Sequence, residues 1–531
     1  MIYLYSTNTV TKILVQTGLV LPPIQSTAMK PANLNPSAPG VDIATDSGTA
    51  LSGQGTLVEQ LVQWAELRMS QQVLRPGMRM PSVRQLALDR GVSRFTVVET
   101  YERLVARGRL QARRGAGFFV REPDATDSPA RRAKASPARR QTFDMGWLVR
   151  NMQSGIPADK APGFGYLPPD LCGGDLIKGG LRSVAATAGL QLSHAPLAQG
   201  YAPLREQISR RLAEMEVSAT PAQILTTSGA TQALDLIARK FLRPGDNVIV
   251  GNPAWSAQLG SLAMMGANLI SLPYTPQGPD VKALAELAAN CQPRMLILNT
   301  VLHNPTGTVL TAAAAYQIMR VAEAHDMIVV EDDIYADFLP SGVSAARLAS
   351  LDQLKRVIYL GSFSKMLVPN VRVGFLAATP EIAESLGNQK LLTALATPEI
   401  NERIVHRALT EGSYRKHCLR VHAALDELRE PTFARLESMG LKAYCRPQAG
   451  YQGWFDTGVD TITLAALAME AGYLLAPGAL FSPQQTPSTF LRMNIATSQN
   501  PTVLKWLEAT LKMLRRGAES AVAVNAPAVI Y

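Results

Sequence analysis

Residues 357–377 read VIYLGSFSKMLVPNVRVGFLA, and this stretch decides the fold. The apolar run Val357–Leu360 stops at Gly361-Ser362-Phe363-Ser364-Lys365, a small, polar turn with a single lysine. Arg372 follows seven residues later, and Val373–Ala377 is a second apolar run. Runs that are apolar throughout, rather than alternating, belong to sheets covered on both faces. The pattern recurs at Val248–Val250, Met295–Leu298 and Ile328–Val330, with helical stretches such as Ala230–Phe241 and Ala312–His325 between. Alternating strands and helices predict a large α/β unit with a mostly parallel sheet.

The chain has 531 residues, more than one hydrophobic core ordinarily serves. Its 47% hydrophobic and 18% charged residues are ordinary for a globular protein and exclude a mostly disordered chain. No charge-free run of about 20 apolar residues occurs, which excludes a spanning helix. Cys172, Cys291, Cys418 and Cys445 form no C-x-x-C pair. That excludes a disulfide scaffold and a cysteine zinc site, so no metal is expected, and it suits a reducing cytoplasm.

The net charge of +10 is unevenly placed. Residues 1–55 are neutral, residues 56–142 carry 17 Lys and Arg against 8 Asp and Glu, and residues 143–531 carry 33 against 32. A basic block beside a neutral bulk points to a polyanion partner for that block. Pro22, Pro23, Pro31, Pro36 and Pro39 mark 1–55 as a flexible extension, with Met29 as an alternative start. Residues 123–142, rich in Pro, Ala and Arg, read as a basic linker.

Residues 56–122 read as a compact unit. Thr56 with Glu59, and Ser82 with Gln85, are helix-start signatures. Leu57, Leu61, Trp64 and Ala65 follow helical spacing in the first helix. Ser93 opens a third helix, with Val97, Val98, Tyr101, Leu104 and Val105 as its packing face. Two β-like runs, Arg109–Arg113 and Gly117–Val120, follow. Two short helices joined at Gly91-Val92 have helix-turn-helix spacing, with Ser93-Arg94-Phe95-Thr96 free to enter a groove. Phe95 can meet a thymine methyl group or pack. The blocks Met80-Pro81-Ser82-Val83-Arg84-Gln85-Leu86-Ala87, Gly91–Val97, Tyr101-Glu102-Arg103-Leu104 and Gly115–Val120 resemble the GntR-type winged helix-turn-helix. The resemblance implies contacts to double-stranded operator DNA from Arg84, Ser93, Arg94, Thr96, Arg114 and Gly115.

The large unit presents the groups that a pyridoxal 5'-phosphate site needs: a lysine, an acid for the ring nitrogen, and donors for a phosphate. Ser228-Gly229-Ala230-Thr231 opens a helix, a seat for an anion. Trp255 can stack on a flat ring, and Asn304 in His303-Asn304-Pro305-Thr306-Gly307 can donate to its oxygen. Glu331-Asp332-Asp333 puts three carboxylates in a row at a strand end, costly unless a cation is near. Lys365, Arg372 and, far downstream, Arg492 complete the set.

Jointly these motifs resemble the class I aminotransferases, of fold type I. That implies a mostly parallel α/β domain with a smaller C-terminal α+β part, over residues 143–531. It also implies roles. Ser228, Gly229, Ala230, Thr231, Ser362 and Arg372 hold the phosphate, Trp255 stacks, and Asn304 and Tyr335 meet the ring oxygen. Asp332 pairs with the ring nitrogen, Lys365 is the catalytic Schiff-base lysine, and Arg492 takes a carboxylate. Before Gly200–Glu206 the family carries a tyrosine that reaches across to the other subunit; this chain has His194 there, one residue out of step.

A GntR-type reader fused to an aminotransferase-like module resembles the MocR-type regulators. The resemblance implies a cytoplasmic, domain-swapped homodimer that senses an amino acid or amine by aldimine exchange at Lys365. An active aminotransferase with a vestigial or autoregulatory reader is the alternative, since every catalytic position is occupied.

Overall fold

A computed structural model describes residues 55–71, 73–113, 115–121, 143–187, 193–340, 342–343 and 345–524, without the side chains of 518–524. The expected linker, Arg114 and the expected extension up to residue 54 lie outside the described residues. The chain divides into two compact units, Met1–Pro137 and Ala138–Tyr531.

The first unit contains α1 (Leu57–Ser70), α2 (Val83–Arg90), α3 (Arg94–Ala106) and the antiparallel pair β1 (Leu110–Arg113) and β2 (Gly117–Val120). Each helix starts on a hydroxyl cap. Thr56 and Glu59 form a capping box, Ser82 accepts from the Gln85 amide, and Ser93 accepts from the Thr96 amide. Gly91, at φ +64°, ends α2 in the left-handed region. Leu61, Val62, Leu86, Val97, Tyr101 and Leu104 form the core. The packing stripes differ slightly from the expected ones. Val58 is buried where Leu57 was expected, and Thr100 where Val98 was expected. Thr100 can be buried because its hydroxyl donates to the Thr96 carbonyl at 2.7 Å.

The second unit is built on an eight-stranded sheet. Its strands are β3 (Ile224–Thr227), β4 (Asn247–Asn252), β5 (Asn268–Thr275), β6 (Gly278–Pro279), β7 (Met295–Asn299), β8 (Ile328–Asp332), β9 (Val357–Ser362) and β10 (Gly374–Ala377). The spatial order is β3-β10-β9-β8-β7-β4-β5-β6. The central pairs are parallel, while β10 runs against both its neighbours. The apolar runs alternate between two cores. Ile249, Leu296, Val329 and Val357 point to one, and Val250, Ile297, Val330 and Ile358 to the other. That is why these strands are apolar at every position.

Parallel strands bring their carboxyl ends to one edge. Thr227, Asn252, Asn299, Asp332 and Ser362 end there. The reversed β10 reaches the same edge with its first residue, since Gly374 stands opposite both Ser362 and Thr227. A second sheet, ordered β11 (Lys442–Ala443), β12 (Gln452–Asp456), β14 (Phe490–Asn494) and β13 (Ala476–Pro477), forms the smaller C-terminal part. Trp147 and Leu148, from the first helix of this unit, pack into its core. Among the described residues, no helix is long and apolar enough to cross a membrane.

Candidate functional site

A cavity of about 1040 Å³, counted out to its mouth, opens at the edge where the parallel strands end. Crevices at the carboxyl ends of such strands are where open α/β sheets take ligands. Of the residues expected from the sequence, Ala230, Thr231, Trp255, Asn304, Asp332, Tyr335, Ser362, Lys365 and Arg372 line it.

Lys365 leaves the end of β9 and donates to the Gly165 carbonyl at 2.9 Å. Its Nζ lies 4.1 Å from the centroid of the Tyr166 ring, and about 6 Å from those of Tyr335 and Trp255. Burial, with the charges of Arg492 and Arg372 nearby, pushes its pKa down to about 7, against the attraction of Asp332. Asp332 is pushed up to about 7, chiefly by burial; the Ile334 amide and Lys365 pull the other way. One Asp332 oxygen, Oδ1, is buried with no hydrogen-bond partner. An orphaned carboxylate oxygen in a cavity wall is costly and calls for a cationic or N–H group.

Arg372, also in the cavity wall, donates to the Ser228 carbonyl at 2.6 Å. Gly229, at φ +85°, lets this happen. A Cβ there would stand 2.6 Å from the Arg372 guanidinium. Ser228 and Gly229 themselves do not line the cavity, and the Ser228 amide is already donated to the Gln232 side chain at 2.7 Å. Thr231 and Ser362 line the same cavity as Arg372, and the Ser362 hydroxyl accepts the Ser364 amide at 3.3 Å.

Arg492, in β14, is fully buried. It donates to Asn304 Oδ1 at 3.2 Å and to the Gly163 carbonyl at 2.7 Å, while its Nε has no partner. Asn304 is held in turn by Asn299, whose Oδ1 accepts the Asn304 amide at 2.7 Å. His194 lies 3.0 Å from Glu399 and does not line the cavity.

The acidic triplet divides by strand alternation. Glu331 accepts the amides of Leu348 and Ala349 and the Thr300 hydroxyl, all within 2.9 Å. Asp333 accepts from Arg347 at 2.6 Å and from Tyr359 at 2.7 Å. Only Asp332 faces the cavity. The cation that neutralises the neighbourhood is therefore Arg347, a residue the sequence reading missed. It also missed Gly165 and Tyr166, and Gln452, which donates to the Tyr335 hydroxyl at 3.0 Å. None sits in a motif, and the one signal in the sequence is the glycine–aromatic cluster Gly163-Phe164-Gly165-Tyr166.

In the first unit the arginines sort into two sets. Arg103 pairs with Glu99, Arg107 with Glu66, and Arg90 lies over the Trp64 ring. Arg84 and Arg94 are exposed and have no partner among the described residues. Arg94 is the first residue of α3, and the hydroxyls of Ser93 and Thr96 meet at 2.8 Å beside it. Gly115, at φ +76°, turns the tip between β1 and β2 and is open to solvent.

The family of aminotransferases class I and II matches residues 181–509, more than half of the chain. The chain belongs to the aminotransferase class I and II family. In addition, the gntR family of bacterial regulatory proteins matches residues 57–120. A family relative, the 2-aminoadipate transaminase of Thermus thermophilus, is 32% identical over 58% of this chain and 77% of its own length. The HTH-type transcriptional regulator TauR of Rhodobacter capsulatus is 30% identical over 84% of this chain and 93% of its own, so that match extends into both units. Among solved aminotransferase structures, LysN, an alpha-aminoadipate aminotransferase of Thermus thermophilus complexed with N-(5'-phosphopyridoxyl)-L-leucine, matches with a TM-score of 0.64. It is 27% identical and covers 73% of this chain and 97% of its own.

Proposed function

We propose that the chain is a DNA-binding transcriptional regulator whose large unit binds pyridoxal 5'-phosphate and responds to an amino acid or related amine. The observation that carries this reading is the pairing, in one chain, of a helix-turn-helix with free Arg84 and Arg94 and a cavity holding Lys365 and the orphaned Asp332 oxygen. In this assignment residues 1–55 are an extension, 56–122 read DNA, 123–142 are a basic tether, and 143–531 bind the effector. Such a regulator works in the cytoplasm.

The cavity residues fit the cofactor. The free Asp332 oxygen suits a protonated ring nitrogen, and Arg372, Thr231 and Ser362 suit a phosphate. Bound there, pyridoxal phosphate supplies an aldehyde that condenses with amines and a ring that accepts electron density. Lys365 offers its amine and takes up or releases a proton at Nζ near neutral pH. Arg492, with its Nε unused, binds the effector's carboxylate. Tyr166, Trp255 and Tyr335 exclude water around Nζ.

Regulation requires that the effector bind one arrangement of the protein better than another. The Gly163–Gly165 segment is placed to sense this, since its carbonyls hold Arg492 and Lys365. The acting form in this reading is a homodimer with exchanged readers. Leu197, Leu392 and Leu395, which are 66, 89 and 71% exposed near the Ala198–Lys390 contact, support a second copy as neighbour. A dimer mass in solution checks that part.

The test is fluorescence anisotropy on duplex DNA from upstream of the protein's own gene, titrated with amino acids. An effector-dependent change in affinity supports the regulator. An Arg94→Ala chain is expected to lose about 1–3 kcal/mol of DNA binding while its cofactor absorbance stays unchanged. The second reading, an active aminotransferase, is favoured by nine of the expected residues, Lys365 and Asp332 among them, lining one cavity, although Arg492 lies outside that lining. Steady turnover with a keto acid acceptor, and DNA binding indifferent to amino acids, would establish it instead.

A further inference from the structure

The outward face of α3 carries an apolar patch that the functional reading has not used. Phe95, in the first turn, is 76% exposed, and Val98, one turn on, is 36% exposed. At 100° per residue, Phe95 stands half a turn away from the buried Leu104, so it points away from the core. It therefore does not pack within its own unit. Its immediate neighbours are the unpaired Arg94 and the capping Ser93. Glu99, which would repel DNA from the same helix, is tied to Arg103 at 2.7 Å.

We infer that Phe95, backed by Val98, reads the C5-methyl group of a thymine beside the position that Arg94 contacts. This rests on α3 being the DNA-reading helix. First-turn residues of the second helix of a helix-turn-helix are those that reach base edges in the major groove. The thymine methyl is the apolar feature those edges present, and Arg94 supplies the polar contact next to it. Closing the ring onto that methyl group removes both from water, whereas a helix start that served phosphates alone has no use for a phenyl ring.

The probe is a pool of synthetic duplexes with a randomised core, from which the full-length protein selects its sites. In a selected duplex each thymine is then replaced in turn by deoxyuridine, which deletes the methyl group and keeps the base pair. Affinities are measured for the native chain and for Phe95→Ala. One thymine per half-site is expected to cost the native chain roughly fourfold on losing its methyl, the worth of one buried carbon. Phe95→Ala is expected to be indifferent at that position, and Phe95→Leu to retain part of the effect. The slope of affinity against salt stays the same, since the ring carries no charge. Equal uridine sensitivity in both chains, or none in the native chain, overturns the inference. An altered oligomeric mass of Phe95→Ala with unchanged thymine preference overturns it in favour of a protein contact. Failure of the native chain to select any duplex overturns the DNA reading itself, and this inference with it.

Discussion

A Lys365→Ala chain is expected to carry no pyridoxal phosphate after borohydride treatment, whereas the native chain retains it on the peptide that contains residue 365. The reason lies in the surroundings of Nζ. Lys365 is buried among Tyr166, Trp255 and Tyr335 and close to two arginine charges, which push its pKa to about 7 from the usual 10.5. The neutral amine is the form that attacks an aldehyde, and it is populated above that value. In cofactor-free protein, the rate of attachment should therefore rise through about pH 7 and then level off. A surface lysine would go on gaining rate through the whole neutral range. Asp332 attracts the ammonium form, so Asp332→Asn should move the rise to lower pH. A native profile that climbs without a plateau, or attachment elsewhere in Lys365→Ala, would contradict the assignment. Effector-free DNA binding by Lys365→Ala, measured in parallel, shows that the variant is folded.

The second large effect is one of stability. Replacing Arg347 with methionine should destabilise the large unit by about 3–5 kcal/mol, seen as a lower urea midpoint, because it strands a buried carboxylate. Arg347 is 7% exposed and Asp333 2%, and they meet at 2.6 Å. Without the guanidinium, Asp333 keeps only the Tyr359 hydroxyl as a side-chain donor. Burial already raises the pKa of Asp333, and losing Arg347 raises it further. The folded variant then binds a proton more readily than the unfolded chain does. Its deficit should be full at neutral pH and shrink as pH falls towards the ordinary carboxyl range. Adding Asp333→Leu should recover most of the loss at neutral pH. A deficit that grows on acidification would show that Asp333 is not the group left stranded.

Both experiments turn on residues that differ in how far the sequence disclosed them. Lys365 was legible because it, like Thr231, Trp255, Asn304, Asp332 and Ser362, follows an apolar run, and runs of parallel strand all end at one edge. The order Thr231, Trp255, Asn304, Asp332, Ser362 along the chain follows from that rule. Arg347 was not legible. It meets Asp333 across 14 positions of sequence, in no motif, and only packing decides that the two are buried together. The division of Glu331-Asp332-Asp333 could have been read, since a strand sends alternate residues to opposite faces. What the sequence did not contain is which face holds the cavity. Gly165 lies 200 residues from Lys365, and it and its neighbour Tyr166 are joined to the lysine only by the tertiary fold. In the first unit, Thr100 in place of Val98 shows the limit of hydrophobic spacing, because a hydroxyl that bonds back to its own helix can be buried where a valine was expected.

The reversed direction of β10 has a consequence for how the site is assembled. A sheet of parallel strands can offer only strand ends to a crevice, and each new end requires a full crossover through a helix. By entering the edge with its beginning, β10 lets one short connection deliver Ser362, Lys365 and Arg372 together. Ordering a segment of that length costs little loop-closure entropy compared with the crossovers around it. The amine and the guanidinium that line the cavity are thus set by a single local turn. A shift in that turn would move both at once, so their separation is inherited from chain geometry rather than from the packing of distant elements.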